Sequence, residues 1–271
     1  MITYGHEKYI EQAISGILMQ QCDFDFELVL VNDASPDASD GIIRQIIKTH
    51  PLGNRIKYFS HSKNKGIIPN FIFALQQCTQ KYVAICDGDD YWNNPLKLQK
   101  QFDFLEKNKK VILIHNDVFT LTNDVIQENN SFKLWNLKTD DLDYRFCVFS
   151  PLAFTCTSFF RNIIEPTHIS KKIMAGDWML WVLLSLKGDT KFTNEKNAVY
   201  RIGSGVSVSA NWYTDFYFRA IFLLKQLSLK HSLKKNYWLI RGAIYYILMY
   251  AGKKWKTNKI LVLAQKLKYK I

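Results

Sequence analysis

Two hydrophobic periods alternate along the first 115 residues, and this alternation indicates the fold class. Segments with helical spacing alternate with short continuous apolar runs, which are typical of buried strands. The helical segments are 10–18, 42–47, 69–78 and 95–107, and the strand runs are 28–31, 56–59, 82–86 and 111–115. This order predicts an α/β protein with a largely parallel sheet and helices on both faces. Pro69 is predicted to be the first residue of its helix.

The rest of the chain is organised differently. Residues 116–170 mix Thr and Phe, which favours antiparallel strands, and helical spacing returns in the segment GDWMLWVLLSLKG at 176–188. From Trp212 onward the pattern is helical, aromatic and basic. We therefore expect an α/β domain over residues 1–210 and a helical, basic tail over residues 211–271.

The net charge of +12 belongs to that tail. Between Arg219 and Ile271 there are 13 Lys and Arg residues and no Asp or Glu, so the preceding 218 residues hold 23 basic and 24 acidic residues. Cations interleaved with aromatic residues predict an interfacial helix on an anionic membrane surface. Nucleic acid is the rival partner and a merely solvated face is the third alternative; we expect no nucleic acid. Arg241 interrupts the apolar stretch, which is shorter than the roughly 20 residues that a membrane span needs.

The cysteines and the N-terminus predict the compartment. The five cysteines are odd in number and form no CxxC motif, which favours reduced thiols and a cytoplasmic protein. The first residues, MITYGHEKYIEQ, are too polar for a signal peptide.

Two acidic clusters directly follow predicted strands. Asp33 lies in VNDASPDAS, and Asp87, Asp89 and Asp90 lie in CDGDD. Ligands of open parallel sheets bind at the carboxyl ends of the strands, where both clusters are expected. Carboxylates spaced by one residue can share a divalent metal whose remaining ligands are water and phosphate oxygens. The alternative is a solvated surface turn in which Asp89 or Asp90 caps the next helix.

Six segments, taken in order, resemble family 2 glycosyltransferases of the GT-A fold. Together they span roughly residues 1–210; they are TYGHEKYIEQAISGILMQ, ELVLVNDASPDAS, NKGIIPNFIFAL, CDGDDYWNNPLKLQKQFDFLE, GDWMLWVLLSLKG and YRIGSGVSVS. The resemblance implies a Rossmann-like, mixed but mainly parallel sheet flanked by helices. It also implies that a nucleotide-sugar, most readily a UDP-sugar, is the donor.

The resemblance assigns nucleotide and metal roles to specific positions. Thr3 and Tyr4 would line the nucleotide pocket, and Asp33 would accept a hydrogen bond from the base. Asp87 would lie beside the ribose and the metal, and Asp89 would be the principal ligand of Mn²⁺ or Mg²⁺. A turn or helix-cap role is the alternative for Asp33.

The resemblance also implies the reaction. Asp177 would be the general base that deprotonates the acceptor hydroxyl, giving inversion at the anomeric carbon; an ordinary helix N-cap is its alternative role. The acceptor would be a glycan or a lipid-linked glycan in bacterial surface polysaccharide or lipopolysaccharide synthesis, at the inner face of the cell membrane. The rival functions are a catalytically impaired nucleotide-sugar-binding module and a sugar nucleotidyltransferase. The second would carry a glycine-rich basic loop, which TYGHEKYI is not.

Three departures from the family pattern stand out. Gly5 replaces a frequent Asn, and Gly203 replaces a frequent His that could contact metal or phosphate. In addition, the chain begins at MITY, inside the expected first strand, so we expect this strand to be truncated. The hypothesis at this point is that Met1 is a late start and that the natural protein begins upstream.

Overall fold

Two sheets form the frame of the protein in this computed structural model, which describes residues 1–129, 141–142, 144–149, 154–204, 212–228 and 230–269. The strands are β1 (Ile2–Thr3), β2 (Leu28–Asn32), β3 (Ile56–Ser60), β4 (Tyr82–Ala84), β5 (Tyr91–Trp92), β6 (Val111–Thr122), β7 (Val125–Glu128), β8 (Asp141–Leu142), β9 (Phe159–Arg161) and β10 (Asp189–Arg201). The helices are α1 (Ile10–Leu18), α2 (Ser39–Thr49), α3 (Ile67–Gln77), α4 (Lys97–Lys107), α5 (Tyr144–Phe149), α6 (Gly176–Ser185), α7 (Trp212–Lys225), α8 (Leu233–Lys254) and α9 (Asn258–Tyr269).

The first sheet is parallel, with strand order β1-β2-β3. All five residues of β2 are buried, as expected for a parallel strand covered on both faces. The register pairs Ile2 with Val31 and Leu28 with Ile56, so the carboxyl ends of the three strands lie side by side. This arrangement confirms the predicted α/β class.

The second sheet is mixed, with the order β4-β9-β6-β10-β5. Among its described pairings, β6 and β10 run parallel, whereas β4 with β9, β9 with β6, and β10 with β5 are antiparallel. The pairing of β10 shifts register three times along β6, at Asp189/Thr190, Thr193/Lys196 and Lys196/Val199. These irregularities curve the sheet and carry the end of β10 over to β5, which directly follows the acidic loop.

Several element boundaries differ from the sequence prediction. Helix α3 begins at Ile67 rather than at Pro69, because Gly66 at φ +88° lets the chain turn into the helix earlier. Pro69 is then the third helical residue, where its missing N–H would have had no partner within the helix. Strand β6 continues to Thr122, well beyond His115, because β10 pairs with it along that length.

The prediction of antiparallel strands within 116–170 is correct in part. Strand β7 pairs antiparallel with β6, and β9 pairs antiparallel with both β6 and β4. Helix α5 also falls in this region, and residues 130–140, 143 and 150–153 lie outside the described part of the chain.

The basic tail packs on the α/β frame through its aromatic residues. Trp178 of α6 meets Phe222 of α7 and Tyr246 of α8 with ring centroids 5.6 and 5.5 Å apart. These residues belong to one hydrophobic cluster that also contains residues of the second sheet, such as Leu113 and Phe160. The division at residue 210 remains a prediction. Within the described residues, we find no helix with the length and apolarity of a membrane span.

Strand β1 is short, with only Ile2 and Thr3 in strand conformation. The N-terminal ammonium of Met1 donates a hydrogen bond to the carbonyl oxygen of Val29 at 2.9 Å. Beyond it, toward the amino ends of β2 and β4, lies a cavity of about 360 Å³. Its lining is mainly apolar and includes Phe26, Phe102 and Phe159.

Candidate active site

The loop after β1 is fixed to the loop after β2. The backbone N–H of Gly5 donates to Ser35 Oγ, and that of His6 donates to Ser39 Oγ, each at 3.1 Å. Gly5 has φ +72°, a left-handed conformation that Asn also tolerates, so the replacement of the family Asn preserves this turn. Thr3 is buried at the base of the loop, whereas Tyr4 is 40% exposed.

Asp33 is buried at the end of β2 and shapes a third loop. Its two carboxylate oxygens accept hydrogen bonds from the backbone N–H groups of Lys65 (2.8 Å) and Gly66 (2.9 Å). Each oxygen has a second lone pair, so the carboxylate can also accept a bond from a ligand. Asp33 therefore ties the NKG segment to the carboxyl edge of the sheet, beside Thr3.

The acidic loop after β4 packs directly against the end of β1. The backbone N–H of Gly88 donates to the carbonyl oxygen of Ile2 at 2.9 Å. A Cβ atom at position 88 would lie 2.7 Å from Thr3 Oγ1 and 2.9 Å from His6 Nδ1, so only glycine fits this close approach. The contact places Asp87 and Asp89 beside the loop that contains Thr3.

Asp87 carries an unsatisfied carboxylate oxygen. Its Oδ1 is buried without a hydrogen-bond partner. Burial, followed by the nearby charge of Asp89, raises the pKa of Asp87 to about 7, and the charge of Asp177 acts in the same direction. A carboxylate whose pKa is raised by burial and by neighbouring charges is frequent at functional sites.

Asp89 and Asp90 are 8% and 2% exposed, which does not fit the alternative of a solvated surface turn. Asp89 Oδ2 accepts a hydrogen bond from Ser204 Oγ at 2.9 Å, and Asp90 Oδ1 accepts one from the backbone N–H of Arg201 at 2.9 Å. Burial raises the pKa of Asp90 well above its usual range. Asp90 is therefore a structural anchor between the acidic loop and the end of β10.

The Arg201 side chain holds the acidic loop from outside. Its guanidinium lies 4.7 Å from the ring centroid of Tyr9 and 4.9 Å from that of Tyr91. It donates hydrogen bonds to the carbonyl oxygen of Asp89 and to Gln12 Oε1. From the sequence, Arg201 is expected to pair with the diphosphate or to form an ordinary ion pair, and its bond to the acidic loop across more than 100 residues has no local signal.

His6 lies between Thr3 and the acidic loop. Its Nδ1 is 3.1 Å from Thr3 Oγ1, and its Nε2 is 4.0 Å from Asp89 Oδ2. Burial lowers the pKa of His6, although the nearby carboxylate of Asp89 opposes this shift. His6, to which the sequence assigned no chemistry, is thus a neighbour of the predicted metal ligand.

Asp177 is the second residue of α6 and is half-buried. Its Oδ1 accepts a hydrogen bond from the backbone N–H of Trp178 at 2.7 Å, and its Oδ2 accepts one from Thr155 Oγ1 at 3.3 Å. Burial raises the pKa of Asp177, which increases its affinity for a proton. The carboxylate therefore contributes to the start of the helix and is also suited to general-base chemistry.

The carboxylates of the acidic loop suit a divalent cation whose coordination is completed by water and a bound ligand. In the described part of the chain, no three His, Cys, Asp or Glu side chains form a group that could hold a metal ion. Mg²⁺, however, commonly takes one or two carboxylates and fills its other positions with water and phosphate oxygens. Asp87, whose Oδ1 has no hydrogen-bond partner, and the neighbouring Asp89 could supply these two carboxylates.

Gly203 lies beside the residue that binds Asp89. It has φ +93°, and a Cβ atom added at this position would meet no other atom within 4 Å. Ser204, the next residue, supplies the hydroxyl that reaches Asp89. Residues 205–209, the rest of the segment YRIGSGVSVS, lie outside the described part of the chain.

The protein is a glycosyltransferase with the GT-A fold. The model of glycosyl transferase family 2 matches residues 1–166, and the chain belongs to this family. An uncharacterized glycosyltransferase of Haemophilus influenzae is 27% identical over 263 residues, which cover 93% of each chain.

Two solved structures share the fold. TarS 1–349 of S. aureus, in complex with UDP-GlcNAc, has a TM-score of 0.68 and 18% identity over 92% of this chain and 70% of its own. The mannosyltransferase PcManGT of Pyrobaculum calidifontis, in complex with GDP-Man and Mn²⁺, has a TM-score of 0.58 and 16% identity over 99% of this chain and 80% of its own.

Proposed function

We propose that the protein is a metal-dependent, inverting glycosyltransferase that moves a sugar from a nucleoside diphosphate, with UDP favoured, to a hydroxyl of a glycan or lipid-linked acceptor. The observation that carries the proposal is the buried, unpartnered Oδ1 of Asp87 at the carboxyl edge of the sheet, where the charges of Asp89 and Asp177 both raise the pKa of Asp87. UDP-GlcNAc bound to TarS and GDP-Man with Mn²⁺ bound to PcManGT support this donor class.

The nucleotide would lie along the carboxyl ends of β1 and β2. Thr3 and Tyr4 would line its pocket, and Asp33 would accept a hydrogen bond from the base while it holds the Lys65–Gly66 loop. Asp87 and Asp89 would hold Mn²⁺ or Mg²⁺. When bound, such a cation neutralises the diphosphate and stabilises it as a leaving group.

Asp177 would act on the acceptor. Its raised pKa favours uptake of a proton from a hydroxyl, and its bonds to Trp178 and Thr155 fix the direction of the carboxylate. One base on the acceptor side, opposite the leaving group, produces a single in-line displacement and therefore inversion. The biological setting that we propose is bacterial surface polysaccharide or lipopolysaccharide synthesis, with the protein peripheral on the inner face of the cell membrane.

A thermal-shift titration tests the donor site. UDP, GDP and other nucleotides are added with and without Mn²⁺, because a ligand that binds the native state raises the melting temperature by mass action. We expect UDP to stabilise the protein only with Mn²⁺ and Asp89→Asn to lose this effect. Asp23→Asn, an exposed carboxylate far along the chain from the acidic loop, is the control and should respond like the wild type. No nucleotide response in the wild type would refute the donor site.

Asp177→Asn separates binding from turnover. The variant should keep the metal-dependent response to UDP, whereas release of UDP from a UDP-sugar should fall by roughly 10²-fold or more, the usual contribution of a general base. Unchanged turnover in Asp177→Asn would contradict its role as the base.

A nucleotide-sugar-binding module without turnover is the second candidate. It is favoured by Gly203, where the family pattern has a His next to the predicted metal ligands. Metal-dependent binding of UDP-sugar by the wild type, without release of UDP in the presence of any acceptor glycan, would support this candidate over the enzyme.

A further inference from the structure

Helix α8 presents a row of large apolar side chains to solvent. The row consists of Leu233, Tyr237, Ile240, Ile244 and Ile247, with exposed fractions of 90%, 57%, 43%, 45% and 45%. The spacing alternates between four and three residues. At 3.6 residues per turn, all five therefore fall within about 80° of the helix circumference.

The opposite face of α8 is already used by the core. Trp238, Tyr245 and Tyr246 are buried there, and Tyr246 packs edge-on against Trp178 at 5.5 Å. Rotation of the helix to bury the exposed row would remove these aromatic side chains from the core. The row is therefore a fixed feature of the folded surface.

The exposure is concentrated in this part of the molecule. Of the 20 large apolar side chains that are exposed among the described residues, 11 lie at or after Tyr217. The helices α7 and α9 on either side of α8 in the sequence also expose large apolar side chains, which are Leu224 of α7 and Val262 and Leu263 of α9. Single exposed apolar residues are ordinary, but a contiguous set marks an interaction surface.

Basic residues border the row. Lys234 and Lys254 are exposed at either end of α8, on opposite sides of the apolar arc. Arg241 is used differently: its guanidinium donates to the carbonyl oxygen of Leu267 at 2.6 Å and lies over the ring of Trp238. From residue 219 to residue 271 the chain has no acidic residue.

We propose that the row inserts into the interfacial layer of an anionic lipid bilayer, with α8 lying in the membrane plane. Apolar side chains would enter the boundary between headgroups and acyl chains, and the bordering lysines would contact anionic headgroups. A second copy of the chain fits less well, because it would bring identical basic borders together without a pairing carboxylate. Nucleic acid would satisfy the lysines but leave the apolar row exposed.

The membrane surface also has a consequence for the acceptor, and this consequence rests on the proposed function. Asp177, the proposed base, precedes Trp178, which packs on the buried face of α8. A docked α8 would therefore hold the base about one helix diameter, roughly 10 Å, from the bilayer surface. The acceptor class that this geometry favours is a lipid-linked glycan with the reacting hydroxyl close to the headgroups.

Vesicle flotation of the full chain tests the proposal. The wild type is mixed with phosphatidylcholine vesicles that contain or lack phosphatidylglycerol, at low and high salt. The test variant is Ile240→Ser/Ile244→Ser/Ile247→Ser, and the matched control is Ile126→Ser/Ile163→Ser, which alters exposed isoleucines elsewhere at 55% and 49% exposure. Gel filtration and the thermal response to UDP with Mn²⁺ are recorded for every variant.

We expect the wild type and the control to float with anionic vesicles and the triple variant to bind at least about tenfold more weakly. Equal flotation of the triple variant and the wild type would overturn the proposal. So would a wild-type dimer that the triple variant converts to monomer without vesicle binding, since the row would then be a self-interface. If the wild type responds thermally to UDP with Mn²⁺ but does not float with vesicles, the membrane surface alone is refuted. If the wild type floats but shows no thermal response to UDP, the donor site alone is refuted.

Discussion

Lys97 of α4 is fully buried, so its ionisation should make the free energy of unfolding depend strongly on pH. Its Nζ donates to Gln101 Oε1 at 2.7 Å and lies 4.2 Å from the ring centroid of Trp92. Burial lowers the pKa of Lys97 from 10.5 to about 7. The native state therefore releases a proton that the unfolded state keeps, and stability rises with pH between these two values.

The magnitude follows from the size of the shift. One pKa unit corresponds to about 1.4 kcal/mol, so the free energy of unfolding should increase by roughly 3 to 4 kcal/mol between pH 7 and pH 10 because of this one group. Lys97→Met removes the buried ammonium and leaves Gln101 Oε1 without its donor, a loss of about 1 kcal/mol. The full penalty is about 4 kcal/mol at pH 7 and about 1 kcal/mol at pH 10, so the variant should be more stable than the wild type by about 3 kcal/mol at pH 7 and nearly equal to it at pH 10.

Urea unfolding at pH 7, 8, 9 and 10 measures this difference, and taking the variant against the wild type at each pH cancels other titrations. Lys100→Met is the matched control on the same helix, because Lys100 is half exposed and pairs with Glu195 at 3.2 Å. A wild type that gains no stability relative to Lys97→Met as the pH rises would show that Lys97 stays charged in the folded protein, contrary to this prediction.

Three further outcomes are expected. Burial lowers the pKa of His115 to about 3, so the wild type loses stability as the pH falls from 6.5 toward 3; His115→Phe should flatten this part of a urea-midpoint profile. Gly16→Ala would place Cβ 2.6 Å from the Trp92 carbonyl oxygen and should cost about 1–3 kcal/mol, whereas Gly41→Ala, which meets no atom within 4 Å, should not destabilise. Arg201→Lys keeps the charge but loses the planar fork, so the UDP response with Mn²⁺ should weaken while chemical unfolding changes little; an unaltered UDP response would contradict its positioning role.

The sequence was sufficient for the features that depend on local periodicity. The buried run 28–31 and the helical spacing of 10–18 predicted β2 and α1, because one covered strand and one amphipathic helix each have a distinct pattern. The acidic loop could also be predicted, since Asp87 and Asp89 follow an apolar run directly. What it could not supply was the partner of each carboxylate.

Those partners come from remote parts of the chain. Ser204 and Arg201 reach the acidic loop only because the irregular pairing of β10 with β6 brings the end of β10 to this edge. Lys97 has no sequence feature that distinguishes it from the other lysines of α4, and its burial depends on the packing of α4 over β6 and β9 of the second sheet. Tertiary contacts of this kind leave no local periodicity.

The cavity at the amino ends of β2 and β4 has a consequence for inhibitor discovery. It is lined mainly by apolar side chains, has the volume of a drug-sized compound, and includes Cys86, the residue before Asp87. A compound that occupies this cavity would raise the melting temperature from the edge of the sheet opposite the acidic loop. Competition with UDP, the proposed donor nucleotide, would distinguish such compounds from ligands of the acidic loop, because a compound at the amino ends of the strands should not compete.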